Sequence, residues 1–127
     1  MSSSILEDII IREYLLEKNM KIVAKKLSLP VKIVRRTIIS RCSHLYKFHG
    51  LCRVYLYMID KCFASAREVA SALRTKYQNI YRAFSELEKK NLELKVVKVH
   101  RKSRVFVYIV WNKEKCLSEF NAKLNLI

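Results

Sequence analysis

The sequence predicts an α+β fold in which helices dominate, and three observations lead there. From Leu6 to Leu87, apolar residues recur mostly at three- and four-residue steps, the period of an amphipathic helix. Two β-rich runs, 94–99 and 104–111, then flank His100-Arg101-Lys102-Ser103, which is too polar to bury and reads as a hairpin tip. The chain has 127 residues and is 51% hydrophobic, enough to build the core of one ordinary domain or of two very small ones.

Taken in order, residues 5–18 read as a first helix. Leu6, Ile9, Ile10 and Leu16 fall on one face with Tyr14 at its edge, and Glu7, Asp8 and Glu13 lie toward the positive end of the helix dipole. Asn19 is suited to cap a short helix over 20–27. Pro30 suits the first turn of a third helix, 31–41. Residues 45–62 predict a fourth, with Phe48, Leu51, Tyr55, Met58 and Cys62 inward and Gly50 near its start. Ser65 and Glu68 form a capping box ahead of Val69, Ala70 and Leu73. Thr75 is placed to cap the next helix, 76–89, in which Tyr77, Ile80, Phe84 and Leu87 recur at helical steps, and Asn91 to close it. After the hairpin, 113–127 reads as a last helix with Cys116, Phe120, Leu124 and Ile127 on one side. That stripe either folds back on its own domain or pairs with a second copy.

An internal repeat connects the two halves at an offset of 46 residues. Asn19 matches Ser65, Val23-Ala24 matches Val69-Ala70, and Leu27 matches Leu73. The register continues through Val34 on Ile80, Arg36 on Arg82 and Ile38 on Phe84. Each half then has a cap, a small residue where two helices cross, and a longer basic helix. The first copy lacks the hairpin.

Short helix, tight turn, longer helix and basic hairpin together resemble a winged helix-turn-helix domain, over roughly residues 45 to 112. The residues that carry the resemblance are Val69-Ala70-x-x-Leu73, then Ile80, then Leu87-Glu88-Lys89-Lys90-Asn91-Leu92 leading into the hairpin. A Lys-, Arg- and Ile-rich composition with one Gly and one Pro gives it an archaeal or archaeal-virus cast. The expected organisation is a helix-turn-helix unit over 1–44, packed on a winged helix over 45–112 with a two-stranded wing, and a terminal helix over 113–127. The junction Ser43-His44 is short and has no Gly/Ser/Pro linker, so the two units are expected to pack together. The resemblance implies dimerisation through a terminal helix as one option.

The net charge is +15, from 26 basic against 11 acidic side chains, and calls for a polyanionic partner, double-stranded DNA first. An anionic membrane surface needs a basic amphipathic helix with a free apolar face, whereas these apolar faces are needed for cores. The longest apolar run, 105–111, is too short to span a bilayer. The N-terminal residues do not read as a secretory signal, and a cytoplasmic protein is expected.

In the helix 76–89, Gln78, Asn79, Arg82, Ser85 and Lys89 lie away from the core positions. Gln and Asn pair with adenine through the major groove, and Arg with guanine, so Gln78, Asn79 and Arg82 are the candidate base readers. Thr75, Lys76, Tyr81 and Lys89 are the candidate phosphate contacts beside the helix start, with Arg101, Lys102 and Arg104 on the wing reaching flanking backbone or minor groove. In the first copy the basic set is Lys32, Arg35, Arg36 and Arg41. There Ile33 takes the position of Asn79, which points to phosphate contact or to packing against a partner. The competing reading of each set is an ordinary solvated surface.

Cys42, His44, His49, Cys52 and Cys62 lie close in sequence, but their spacing matches no familiar zinc site. The plain reading makes Cys52 and Cys62 small core residues; a disulfide is the alternative in a hyperthermophile protein. One Gly rules out a phosphate-cradling glycine loop, and no Asp-rich cluster or Ser-His-Asp arrangement emerges. Neither an enzyme nor a cofactor is expected. The function predicted is sequence-preferring binding of duplex DNA, most simply by a transcription regulator. Two alternatives stand beside it: a protein-interaction subunit of a transcription, replication or segregation complex, and a non-specific architectural DNA-binding protein.

Overall fold

Residues 2–42, 45, 49–90 and 92–126 are described by the structure, a computed structural model. Ser43-His44, Phe48, Asn91 and Ile127, and the side chain of His49, lie outside the described residues. The chain is α+β and mostly helical, with one small antiparallel sheet. It divides into two compact units, Met1–Leu56 and Tyr57–Ile127.

In the first unit, α1 (Ser2–Glu17), α2 (Met20–Leu27) and α3 (Val31–Cys42) pack on one another pairwise. Ile10, Tyr14, Val23, Ala24, Val34 and Ile38 are buried there. Tyr14 is fully buried, whereas Leu6 and Leu16 are exposed. The inward edge of α1 therefore runs along Ile10 and Tyr14, and not through the expected stripe. Acids of α1 hold two of the basic residues: Glu17 and Glu13 take Lys26 at 2.6 and 3.7 Å, and Glu7 and Asp8 take Arg41 at 2.9 and 3.6 Å. The first pairing raises the Lys26 pKa, chiefly through the Glu17 hydrogen bond.

Helix α4 (His49–Met58) is shorter at both ends than the sequence suggests. Its N-terminal part belongs to the first unit, for two local reasons. A disulfide joins Cys42 to Cys52, and the buried Arg53 guanidinium donates to the Leu15 carbonyl. Burial lowers the Arg53 pKa. Cys42 and Cys52 are thus half-cystines and not free core thiols, and as such they are removed from any metal-ligand set.

The second unit contains β1 (Phe63–Ser65), α5 (Ala66–Ala72), α6 (Tyr77–Lys89), β2 (Leu94–Arg101), β3 (Arg104–Trp111) and α7 (Glu114–Leu126). The expected two-stranded hairpin is one part of a three-stranded sheet ordered β1-β3-β2. Strand β1 pairs Ala64 with Ile109, and β2 pairs Val97 with Tyr108. Alternation then sorts the faces. Ala64, Leu94, Val107 and Ile109 are buried on the side of α5 and α6. Phe63, Val97, Val99, Phe106, Tyr108 and Val110 form the other side, which α7 covers with Phe120, Leu117 and Leu124. Phe120 stands 5.1 Å from Tyr108 edge-on and 5.3 Å from Phe63. Fully burying such a ring contributes roughly 2–3 kcal/mol. The terminal helix folds back on its own unit, and a Cys62–Cys116 disulfide ties it there. The Trp111 indole N–H donates to the Met58 carbonyl at 2.7 Å, closing the C-terminal end of α4.

Strand β2 is an edge, but its outward Val96 N–H donates to the Glu88 carboxylate at 2.7 Å. The hairpin turns on Lys102 (φ 46°) and Ser103 (φ 67°), both left-handed, as a two-residue primed turn requires.

Candidate nucleic-acid interface

Helix α6 starts beyond a left-handed Arg74 (φ 53°), which ends α5 by sending the Thr75 N–H back to the Ala70 carbonyl at 3.0 Å. This is a Schellman-type stop made without glycine. Upstream, Ser65 Oγ accepts from the Glu68 N–H at 3.0 Å, half of the expected capping box. The Glu68 carboxylate does not reach back; it accepts from the Tyr57 hydroxyl at 2.8 Å. Burial first, and that bond second, push the Tyr57 phenol above its ordinary pKa.

Thr75 does not cap α6. The N-cap residue is Lys76, which makes no side-chain capping bond, and the first turn has no acid. A cation at the positive end of a helix, beside amides without a side-chain acceptor, is a local arrangement that an anion relieves.

Ile80, Ala83, Phe84 and Leu87 form the buried side of α6. At 100° per residue, the direction opposite their mean carries Gln78, Arg82, Ser85 and Lys89. These four make one continuous stripe. Asn79 is exposed but lies to one side, so the structure joins Gln78 with Arg82 and sets Asn79 apart from both. Tyr77 and Tyr81 flank the stripe on the other side. An open concavity of about 450 Å³ runs along this surface, lined by Tyr77, Gln78, Tyr81, Arg82, Ser85, Glu86 and Lys89. Lys89 pairs with Glu86 at 3.6 Å, an exposed pair of small energetic weight.

The hairpin places its cations less uniformly than the sequence suggests. Arg101 and Arg104 are cross-strand partners, on the sheet face that α7 covers. Arg101 donates to the Leu124 carbonyl at 3.2 Å, near the negative end of α7. Lys102 occupies the exposed tip. On the α6 side of the sheet stands a lysine that the sequence reading missed. Lys98 Nζ lies 5.5 Å from the Tyr81 ring centroid, and its pKa is raised by a hydrogen bond to the Tyr81 hydroxyl. The signal was present: Lys98 shares the strand parity of inward Leu94 and Val96, so it emerges where that face leaves the core.

In the first unit, Lys32, Arg35 and Arg36 are exposed on α3, and none is in an ion pair among the described residues. No helix of the described residues is long and apolar enough to cross a membrane. Compared with family models, curated proteins and solved structures, the chain matches none.

Proposed function

We propose that this chain is a sequence-preferring double-stranded DNA-binding protein, a cytoplasmic transcription regulator, whose second unit is a winged helix-turn-helix. The order helix, strand, helix, helix, strand, strand in residues 49–111 supports the winged-helix reading. The observation that carries the functional reading is the α6 stripe of Gln78, Arg82, Ser85 and Lys89, opposite a fully apolar buried side and behind a cationic, uncapped start. Gln78 and Arg82 have the donors and acceptors for adenine and guanine edges, with Asn79 reading from the flank. Lys76, Tyr81, Lys89 and Lys98 hold phosphates beside the groove, and Lys102 reaches out along the backbone. Arg101 has a weaker claim because α7 engages it. Two disulfides fit a cytoplasm of the hyperthermophile kind, where intracellular bridges persist.

Fluorescence anisotropy with duplex DNA at several salt concentrations tests the reading. Engaging about four to eight phosphates gives a log–log slope on the order of −4 to −8. A flat response refutes DNA binding. Gln78→Ala with Asn79→Ala is expected to erase preference among sequences while leaving non-specific affinity. Equal loss of both refutes their role as readers.

A further inference from the structure

The 46-residue repeat extends beyond composition into the backbone. Ser28 (φ 54°) and Arg74 (φ 53°) are left-handed at matching positions. Leu29 N–H donates to the Ala24 carbonyl at 2.9 Å, as Thr75 N–H does to Ala70 at 3.0 Å. Ser28 to Lys25 and Arg74 to Ser71 are both 3.3 Å. Ile33 to Pro30 and Asn79 to Lys76 are both 3.0 Å. The caps match too, with Asn19 Oδ1 accepting from Lys21 and Ile22 where Ser65 accepts from Glu68. So do the buried sides: Val34, Thr37 and Ile38 of α3 for Ile80, Ala83 and Phe84 of α6. One supersecondary unit is built twice.

The matched frame fixes what α3 shows outward. Lys32 takes the place of Gln78, Arg36 that of Arg82 and Ile39 that of Ser85, with Arg35 at the Tyr81 flank. Ile39 is 40% exposed, while Ile33, at the Asn79 flank, is half-buried. The apolar residue that seemed to disqualify α3 as a reader therefore lies beside its outward stripe and not within it. The acids of the first unit are spent on Lys26 and Arg41, which leaves the outward stripe of α3 uniformly cationic around one isoleucine.

We propose that α3 is a second base-reading helix for duplex DNA. Arg36 recognises a guanine edge, Ile39 packs on a thymine methyl, and Lys32 and Arg35 take phosphates. The inference borrows the reading of α6 through the shared backbone but rests on different side chains.

Three full-length variants separate the two: Lys32→Ala/Arg35→Ala/Arg36→Ala, Ile39→Ala, and Gln78→Ala/Arg82→Ala. All the substituted side chains are exposed, and circular dichroism confirms folding. The triple variant is expected to lower the magnitude of the salt slope by about 2.7, at about 0.9 per lost phosphate contact. Selection from random duplex DNA is expected to show that Ile39→Ala loses part of the wild-type motif, a part that Gln78→Ala/Arg82→Ala retains. An unchanged slope in the triple variant overturns the proposal, and the α6 reading survives if its own variant weakens binding. A lowered slope with an unchanged Ile39→Ala motif makes α3 a phosphate clamp and also overturns it. A weakened triple variant and altered Ile39→Ala motif, beside a silent Gln78→Ala/Arg82→Ala variant, uphold α3 and reject α6 instead.

Discussion

Removing the Cys62–Cys116 bridge probes how α7 is kept on the sheet. The two residues are 54 apart, against 10 for Cys42–Cys52. In the chain-entropy picture, closing a loop of that length removes unfolded-state freedom equivalent to about 4 kcal/mol, and the shorter loop about 2.7 kcal/mol. Packing does not replace the longer tether: Phe120 contributes roughly 2–3 kcal/mol through burial between Phe63 and Tyr108 whether or not the bridge is present. Cys62→Ser/Cys116→Ser should therefore destabilise the second unit more than Cys42→Ser/Cys52→Ser destabilises the first. The assay is guanidinium unfolding of each variant with and without reductant. With a slope of about 3–4 kcal/mol per molar, the Cys62/Cys116 midpoint should fall by roughly 1 M. Reductant should reproduce that fall in the wild-type chain and leave this variant's second-unit transition in place. An unchanged midpoint for the 62/116 variant refutes the reasoning, as does finding four free thiols by mass spectrometry in the purified protein.

Gly50 lies in the first turn of α4, and a Cβ built there meets nothing within 4 Å. Gly50→Ala should raise stability by about 0.5–1 kcal/mol in thermal melts. The Tyr57 phenol, held above its ordinary pKa, stabilises the fold fully below its unfolded pKa of about 10, and this contribution is lost as pH rises through the folded value. Tyr57→Phe should cost about 1 kcal/mol at neutral pH yet soften the alkaline loss, read from unfolding midpoints between neutral pH and about pH 11. Lys98→Ala should weaken DNA binding and reduce the salt slope by about one unit. Arg101→Ala should change mainly the fraying of α7, followed by amide exchange; a larger DNA-binding loss for Arg101→Ala reverses that assignment.

The repeated helix pair was legible because its cores are short-range patterns. Val23-Ala24 and Val69-Ala70 mark helix crossings, and the caps Asn19 and Ser65 mark starts, all within one or two turns of chain. The turns were harder to read. The chain has one glycine, so the left-handed stops fall on Lys18, Ser28 and Arg74, residues that carry no turn signature. Strand β1 is three residues long and was absorbed into the tail of a helix and the cap of the next; only pairing with β3 makes it a strand. On α1, hydropathy favoured Leu6 and Leu16, whereas tertiary packing chose Tyr14, whose ring fills more space. Of the candidate site, the α6 stripe followed from periodicity. The division of the hairpin cations between two faces needed the register, which puts Arg101 opposite Arg104 and Lys98 opposite Val107.

The bond from the Val96 N–H to Glu88 has a further consequence. A bare outer strand offers its backbone to any other extended chain, and stacking of that kind leads to insoluble fibres. Here a helix side chain occupies one of those donors, and Lys95 and Lys98 add charges that repel a like strand. Glu88→Ala would unlock that margin, so a protein that stays folded would nonetheless begin to self-associate on concentration.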